Sequence, residues 1–153
     1  MRMLAALVFL LLTASAAPVP SREQRKLMDD IERTITLPKG AQPLSAYGRN
    51  YAFDGGGRVV ARYLLPFDPP KADEGCEVLL ENFESRPCTK REIAASARSR
   101  ARLRAAETPA GQRRWYSNAR SLPFIHDGGC MQVNVEYDVA IRRIVTVSCN
   151  GYA

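Results

Sequence analysis

The sequence predicts a small single-domain α+β fold, in which an antiparallel sheet built from two hairpins is joined by two helices. Two stretches alternate apolar and polar residues around a short turn, which is typical of antiparallel strand pairs. One segment near the N-terminus repeats apolar residues at helical spacing, and a later run rich in alanine and arginine has high helix propensity. Hydrophobic residues make up 46% of the 153-residue chain, which argues against wholesale disorder.

The first 17 residues are predicted to be a secretory signal peptide. One early positive charge, Arg2, precedes the apolar run Leu4–Leu12, and small residues allow cleavage after Ala16 or Ala17. A retained membrane anchor is the alternative, but the run is well short of the roughly 20 residues that span a bilayer. No later stretch is apolar enough to span. We therefore expect one domain over residues 18–153, in the periplasm or secreted.

The first helix is expected to begin after Ser21, a favourable N-cap residue, and to end at the Pro38–Gly40 stop signal. Between these limits the apolar residues recur at helical spacing and form one face: Leu27, Met28, Ile31 and Ile35.

The first hairpin is predicted around the loop Gly55–Gly57, with Phe53 opposite Val59 and Tyr51 opposite Ala61. This register collects apolar and aromatic residues on one face and polar residues, including Asn50 and Arg62, on the other. A phosphate-binding glycine loop is the alternative. It would need a helix after the glycines, and a β-branched run follows instead.

The second hairpin is predicted from the strands MQVNVEYD and RRIVTVSC. Pairing Tyr137 with Arg143 places Val135 opposite Val145 and Met131 opposite Cys149, and a shift by one residue destroys the segregation of faces.

Four cysteines in an exported chain predict two disulfide bonds, for which three pairings exist. We favour the pairs that are close in sequence, Cys76 with Cys88 and Cys130 with Cys149. The predicted register places Cys130 and Cys149 on opposite faces, so their bond requires a bend or bulge at Gly128–Gly129.

The middle of the chain, about residues 68–112, is predicted to be a charged insertion. From 68 to 84 there are six acidic residues against one basic residue, and from 86 to 120 ten basic against two acidic. Thr89 and Glu92 form a capping box for the Ala- and Arg-rich helix that runs to Ala106. Its apolar stripe is thin, so we expect this helix to lie lightly on the body or to project from it.

The basic helix and the segment after it are the candidate anion-binding surface. Helical geometry places Arg91, Arg98 and Arg102 on one side of the helix, and Arg113 and Arg114 follow it in sequence. Such arginines attract phosphate or carboxylate polymers. The alternative is a solvated helix that the acidic stretch partly neutralises. The chain carries no nucleic-acid-binding motif, so nucleic acid is not an expected partner.

No catalytic residue, metal site or cofactor is predicted. His126 and Cys130 are four residues apart, but a turn that leads into a strand does not aim one at the other, and Cys130 is expected in a disulfide. One histidine beside Asp127 is too few ligands for structural zinc. The acidic stretch offers Glu77, Glu81 and Glu84, although carboxylates one helical turn apart are common on any solvated face.

Three short motifs lie outside the charged middle: LP-x-GA-x-PL before a tyrosine-rich strand, DGGC before a valine-rich strand, and CNG-x-A at the end. On these motifs, Leu37–Leu65 and Leu122–Ala153 resemble small exported bacterial proteins of unassigned function. The resemblance implies compartment and domain identity, and no activity, ligand or catalytic residue.

The expected function is that of a non-enzymatic binding domain in the periplasm or cell envelope, whose partner is an anionic envelope component or a protein. The arginine helix and the region of Trp115 are its expected contact surface. Two alternatives remain: an inhibitor or envelope-assembly accessory protein that presents the Cys76–Cys88 loop to a partner, and a weak carboxylate-dependent hydrolase.

Overall fold

The computed structural model describes residues 19–67 and 75–151, so the predicted signal peptide and the start of the charged insertion lie outside the described residues. The described part confirms the α+β fold class. Its elements in chain order, besides two short 3₁₀ turns at Leu44–Ala46 and Ala119–Ser121, are α1 (Arg22–Thr34), β1 (Gly48–Phe53), β2 (Arg58–Leu64), β3 (Glu77–Leu79), β4 (Ser85–Pro87), α2 (Lys90–Ala106), β5 (Arg113–Trp115), β6 (Gly129–Asp138) and β7 (Arg143–Asn150).

The strands of the described residues form a five-stranded sheet in the order β5-β1-β2-β6-β7 and a separate two-stranded sheet, β3-β4. All neighbours are antiparallel except β5, which runs parallel to β1. The sequence did not predict β5, because three residues are too few to show a period. Within residues 19–67 and 75–151, neither helix is long and apolar enough to cross a membrane.

The predicted start of α1 is confirmed. The Ser21 hydroxyl accepts a hydrogen bond from the Gln24 amide at 3.1 Å, and the Gln24 side chain accepts one from the Ser21 amide at 2.7 Å. This capping box satisfies two amide groups that the first turn leaves without helical partners. The apolar face of α1 packs on one face of the sheet, and the core is built from Leu27, Met28, Ile31, Tyr47, Tyr51, Val59, Ala61, Tyr63, Trp115, Val133, Val135 and Tyr137.

The predicted register of the first hairpin is confirmed, with Phe53 opposite Val59 and Tyr51 opposite Ala61. Gly55 and Gly57 adopt φ values of 88° and 86°, a region that side chains with a Cβ atom rarely enter. The Asp54 carboxylate accepts hydrogen bonds from the Gly56 and Arg58 amides. These bonds, with the Gly56 amide foremost, lower the pKa of Asp54 and fix the loop.

The predicted register of the second hairpin is wrong by one residue near the turn, where Tyr137 pairs with Ile144, and by two residues farther along, where Val135 pairs with Val147. Val145 has no partner at the irregularity between Glu136 and Tyr137, so Ile144 packs against the core while Val145 is 52% exposed. A strict alternation of apolar and polar residues cannot reveal such an extra residue. The ladder is irregular at two places, between Glu136 and Tyr137 and between Gly129 and Val133. The second irregularity confirms the bulge that was expected next to the glycines.

Both predicted disulfides are present, Cys76–Cys88 and Cys130–Cys149. The region of the Cys130–Cys149 disulfide brings the LP-x-GA-x-PL and DGGC motifs together in space. The Tyr47 hydroxyl donates to the Cys130 carbonyl at 2.8 Å and accepts from the Gln42 amide at 3.0 Å. A Cβ atom on Gly40 would lie 3.6 Å from the Cys130 sulfur. LP-x-GA-x-PL and DGGC therefore form one structural joint.

The second face of the sheet, predicted to be polar, is also covered. Asn50 and Gln132 are 1% and 0% exposed. The Asn50 side-chain oxygen accepts a hydrogen bond from the Thr108 hydroxyl at 2.6 Å, and Gln132 accepts one from the Ile125 amide at 2.9 Å. The far end of the charged insertion is thus anchored in the body, because Thr108 is itself buried.

A polar cluster on the core face joins α1 to the sheet. The Glu32 carboxylate lies 3.3 Å from the Arg49 guanidinium and 3.7 Å from that of Arg113, and it accepts a hydrogen bond from the Tyr51 hydroxyl at 2.6 Å. Tyr51 also lies 3.2 Å from the Tyr63 hydroxyl. Burial raises the pKa of both phenols, so they remain neutral. The sequence pattern did not predict this charged cluster, because Arg49 interrupts an otherwise apolar and aromatic face.

Replacement of Glu32 by alanine is expected to lower the free energy of unfolding by about 3 kcal/mol or more, since it leaves a buried guanidinium without its counter-charge. The side chains of Arg49 and Glu32 are only 11% and 16% exposed. Urea unfolding at neutral pH, followed by circular dichroism, measures the loss.

Glu136→Ala is the matched control, because it also removes one carboxylate from an arginine pair. Glu136 pairs with Arg58 at 3.1 Å, but these side chains are 42% and 47% exposed. Its loss should stay below about 1 kcal/mol. Equal losses in the two variants would contradict the structural role given to the Glu32 cluster.

Candidate functional site

The most exposed regular element is α2. The structure describes all its residues, and none of them is buried. The predicted capping box is present, because the Thr89 hydroxyl accepts from the Glu92 amide and Glu92 accepts from the Thr89 amide. Arg86 adds a two-point contact to Glu92, with bonds of 2.8 and 3.0 Å. These contacts, led by the Arg86 bonds, lower the pKa of Glu92 to about 2.

Three of the predicted anion-binding residues form a stripe along α2, which we call the arginine stripe: Arg91, Arg98 and Arg102. At 100° and 1.5 Å per residue they lie within about 40° of one another over about 16 Å of helix. All three are exposed, and they make no hydrogen bond or ion pair with the described residues. Their guanidinium groups therefore face water.

The other two predicted residues are engaged within the fold. Arg113 donates to Asp29 and lies near Glu32, and the Asp29 hydrogen bond is the main reason that its pKa is raised. Arg114 donates to the Ala106 carbonyl at 2.8 Å and stacks over the ring of Tyr116. The five predicted arginines thus do not form a single site. Their division follows from β5, which places Arg113 against α1.

Trp115 is not available as a contact residue, contrary to the sequence-based expectation. It is 6% exposed, and its ring stacks on Tyr51 with centroids 6.3 Å apart. Phe53 contacts it edge-on at 5.0 Å. Trp115 is therefore a core residue.

The Cys76–Cys88 disulfide closes the β3-β4 hairpin, which lies in the acidic stretch. The Cys88 amide donates to the Cys76 carbonyl at 2.9 Å, so the hairpin is closed by both a covalent bond and a hydrogen bond. Glu77 and Glu84 bond within it, to Ser85 and Asn82. The acidic residues therefore lie on a hairpin and not on helical turns.

The hairpin tip exposes apolar side chains. Leu79 and Phe83 are 68% and 87% exposed. Phe83 adopts a φ of 64°, which is uncommon for a bulky residue. Two turn hydrogen bonds hold it there, from the Phe83 amide to Leu80 and from the Leu80 amide to Glu84, at 3.0 and 2.8 Å.

His126 and Cys130 do not form a catalytic pair. Cys130 is bonded to Cys149, and His126 packs edge-on against Phe124 with ring centroids 4.8 Å apart. His126 and Asp127 lie in a bend, as predicted, and Asp127 has a φ of 49°. Across the described residues, no group of three or more histidine, cysteine or acidic side chains could hold a metal ion.

A cavity of about 240 Å³ lies where the end of α2 meets the sheet. Its lining comes from separate parts of the chain, including Leu64, Phe67, Thr108, Ile125 and Met131. The sequence could not have predicted this cavity, because Leu64 and Phe67 are the only two of these residues that lie close together in the chain.

Comparison with protein-family models, curated proteins and solved structures found no match for this chain.

Proposed function

We propose that this protein is an exported, non-enzymatic binding domain that acts in the periplasm or cell envelope, and that the arginine stripe of α2 binds an anionic envelope component. The observation that carries the proposal is that Arg91, Arg98 and Arg102 share one exposed side of a helix and have no partner among the described residues.

The chemistry of guanidinium groups fits this role. Each presents several N–H donors in a plane, which suits phosphate and carboxylate groups, and arginine keeps its charge at any physiological pH. Over its 17 residues α2 carries six basic side chains against one acidic side chain. Because its apolar residues form no continuous face, attraction to the anion is expected to be mainly electrostatic.

Three observations support export. The N-terminal sequence has the order of charge, apolar run and small residues that signal peptides show. All four cysteines are paired in disulfides, which is typical of oxidising compartments. The LP-x-GA-x-PL, DGGC and CNG-x-A motifs resemble those of exported bacterial proteins.

The variant Arg91→Gln, Arg98→Gln, Arg102→Gln is expected to weaken binding to anionic vesicles by about 100-fold. Each basic residue near an anionic membrane contributes about 1 kcal/mol, so three contribute about 3 kcal/mol. Sedimentation with vesicles of phosphatidylglycerol and phosphatidylcholine measures the change. Heparin chromatography distinguishes a polymer ligand from a lipid surface.

The matched control removes the same charge elsewhere, through Arg22→Gln, Lys26→Gln and Lys39→Gln at exposed positions outside α2. It should bind nearly as well as the wild type. Salt should weaken wild-type binding steeply, because the screening length falls from about 10 Å at 0.1 M to about 3 Å at 1 M. Salt-insensitive binding, or an equal loss in the control, would contradict the proposal.

A second function, presentation of a disulfide-closed loop to a protein partner, is favoured by the tip of the β3-β4 hairpin. An exposed aromatic ring on a constrained loop loses little conformational entropy on binding and is a common energetic centre of protein interfaces. Glu81 and Glu84 lie close to Phe83 in the sequence of the tip and add negative charge to it. The partner expected for this role is a protein with an apolar pocket rimmed by basic side chains.

For this second function, Phe83→Ser should weaken capture of the partner from envelope extract by about 30-fold or more, because loss of a central aromatic residue costs at least about 2 kcal/mol. Quantitative mass spectrometry of the retained proteins measures it. Ile141→Ser changes another apolar residue, 62% exposed on the β6–β7 turn, and should retain the partner. Retention of the same proteins by Phe83→Ser would contradict loop presentation.

A further inference from the structure

A cleft of about 340 Å³ lies on the second face of the sheet, where β2 pairs with β6. It is separate from the cavity at the end of α2, because no residue lines both. Arg62 lies opposite Asn134 in the ladder, and Val60 lies opposite Glu136. Residues two apart in a strand share a face, so these four side chains lie together. Phe124, which is 45% exposed, lines the cleft from the segment that precedes β6.

The guanidinium of Arg62 is held at this cleft by contacts that use only part of it. Nη1 donates to the carbonyls of Leu122 and Pro123 at 3.1 and 3.5 Å. The central guanidinium carbon lies 4.9 Å from the centre of the Phe124 ring. Nε and Nη2 make no hydrogen bond with the described residues. These two nitrogens form one edge of the guanidinium, and two parallel N–H groups on one edge match the two oxygens of a carboxylate.

No carboxylate among the described residues neutralises Arg62. It is half-buried and forms no ion pair with them, and burial lowers the pKa of its guanidinium from the ordinary arginine value. Glu136 lines the same cleft, but its carboxylate pairs with Arg58 at 3.1 Å. A charge that is partly removed from water is stabilised by an opposite charge at close range. The open edge of Arg62 is therefore a fixed position for a negative group.

Two further polar groups of the cleft can bind hydroxyl groups. Asn134 accepts a hydrogen bond from Gln132 at 2.7 Å and donates one to Asn150 at 3.3 Å, which leaves the second hydrogen of its amide nitrogen for a ligand. Glu136 uses Oε2 for Arg58, so its Oε1 can accept. The volume of about 340 Å³ holds about eleven groups of roughly 30 Å³ each, close to the size of one sugar acid.

We propose that this cleft binds a sugar acid, with its carboxylate on the Nε–Nη2 edge of Arg62 and its hydroxyl groups on Asn134 and Glu136. The proposal does not rest on the function proposed for α2, because no residue of the arginine stripe lines the cleft. It gives the protein a second, discrete site, which takes a small anion and not an extended surface.

Titration with D-glucuronate, followed by NMR of the arginine Nε–H groups, tests the proposal directly. The Arg62 Nε–H signal should shift to saturation, because the carboxylate becomes its hydrogen-bond acceptor. D-glucose has the same ring without the carboxylate, and cyclohexanecarboxylate has a six-membered ring with the carboxylate but without hydroxyl groups. Each should bind about tenfold more weakly than glucuronate.

Absence of a saturable shift with glucuronate overturns the proposal. Equal binding of glucose overturns the role of the Arg62 edge, and equal binding of cyclohexanecarboxylate overturns the assignment of the hydroxyl groups.

Arg62→Lys keeps the positive charge but cannot present two parallel N–H groups, so glucuronate should bind at least about tenfold more weakly. Arg120→Gln removes a charge at an exposed position that does not line the cleft, and it should bind glucuronate as the wild type does. Phe124→Ala removes the ring that packs on Arg62 and should weaken binding about threefold or more. It provides a second test should Arg62→Lys fail to fold. Undiminished binding by a folded variant of the cleft overturns the site.

Vesicle binding separates this proposal from that of the arginine stripe. Arg62→Lys should bind anionic vesicles normally, and the triple glutamine variant of the stripe should bind glucuronate normally. Loss of glucuronate binding in the triple variant together with normal binding in Arg62→Lys would assign the ligand to α2 and overturn the cleft proposal.

Discussion

The carboxylate of Glu32 lies between the guanidinium groups of Arg49 and Arg113, and the tertiary structure depends on this contact. A charge removed from water needs a partner at close range, so the position of α1 is fixed relative to β1 and β5 together. Arg49 extends the connection by donating to the Gly111 carbonyl at 2.6 Å. At the other end of the sheet, Asp30 pairs with Arg142 of the β6–β7 turn.

This arrangement also fixes the point at which the charged insertion returns to the body. The chain leaves α2 at Ala106, passes Thr108 against Asn50, and enters β5 beside β1. Thr108 approaches so closely that a Cβ atom on Gly48 would lie 1.8 Å from its carbonyl oxygen. Because Thr108 fixes the chain directly after α2 to the sheet, α2 itself can remain exposed along its whole length. Within the described residues, the exposed helix and the closed β3-β4 hairpin contribute no buried side chain to the core.

Local patterns in the sequence predicted the local structure well. The Ser21 and Thr89 caps, the first hairpin and both disulfides depend on residues close together in the chain, and these predictions are confirmed. The register of the second hairpin was wrong because a strict period of two cannot reveal the extra residue, Val145, that β7 carries between Glu136 and Tyr137 of the facing strand. Apart from Gly128 and Gly129, nothing in the local sequence indicated where the strands would bulge.

Features that join distant segments could not be predicted. β5 is only three residues long, and its pairing with β1 decides that Arg113 is neutralised by α1 while the arginine stripe is not. The burial of Arg49 follows from its distant partner Glu32, and the cavity follows from segments separated by up to 81 positions between Asn50 and Met131. The sequence therefore identified the arginines of the candidate site but not which of them are available. Only three of the five face solvent without a described partner.

The central claim is that a stable core, built on the five-stranded sheet, carries α2 as a separate cationic binding helix. Hydrogen exchange of the backbone amides tests this claim most directly. Amides of β1, β2 and β6 should exchange only through global unfolding, whereas those of α2 should open locally and exchange far faster. Added phosphatidylglycerol vesicles should then protect α2 and leave the strands unchanged. If α2 is as protected as β2 in the free protein, or if the vesicles protect the sheet and not α2, the claim is wrong.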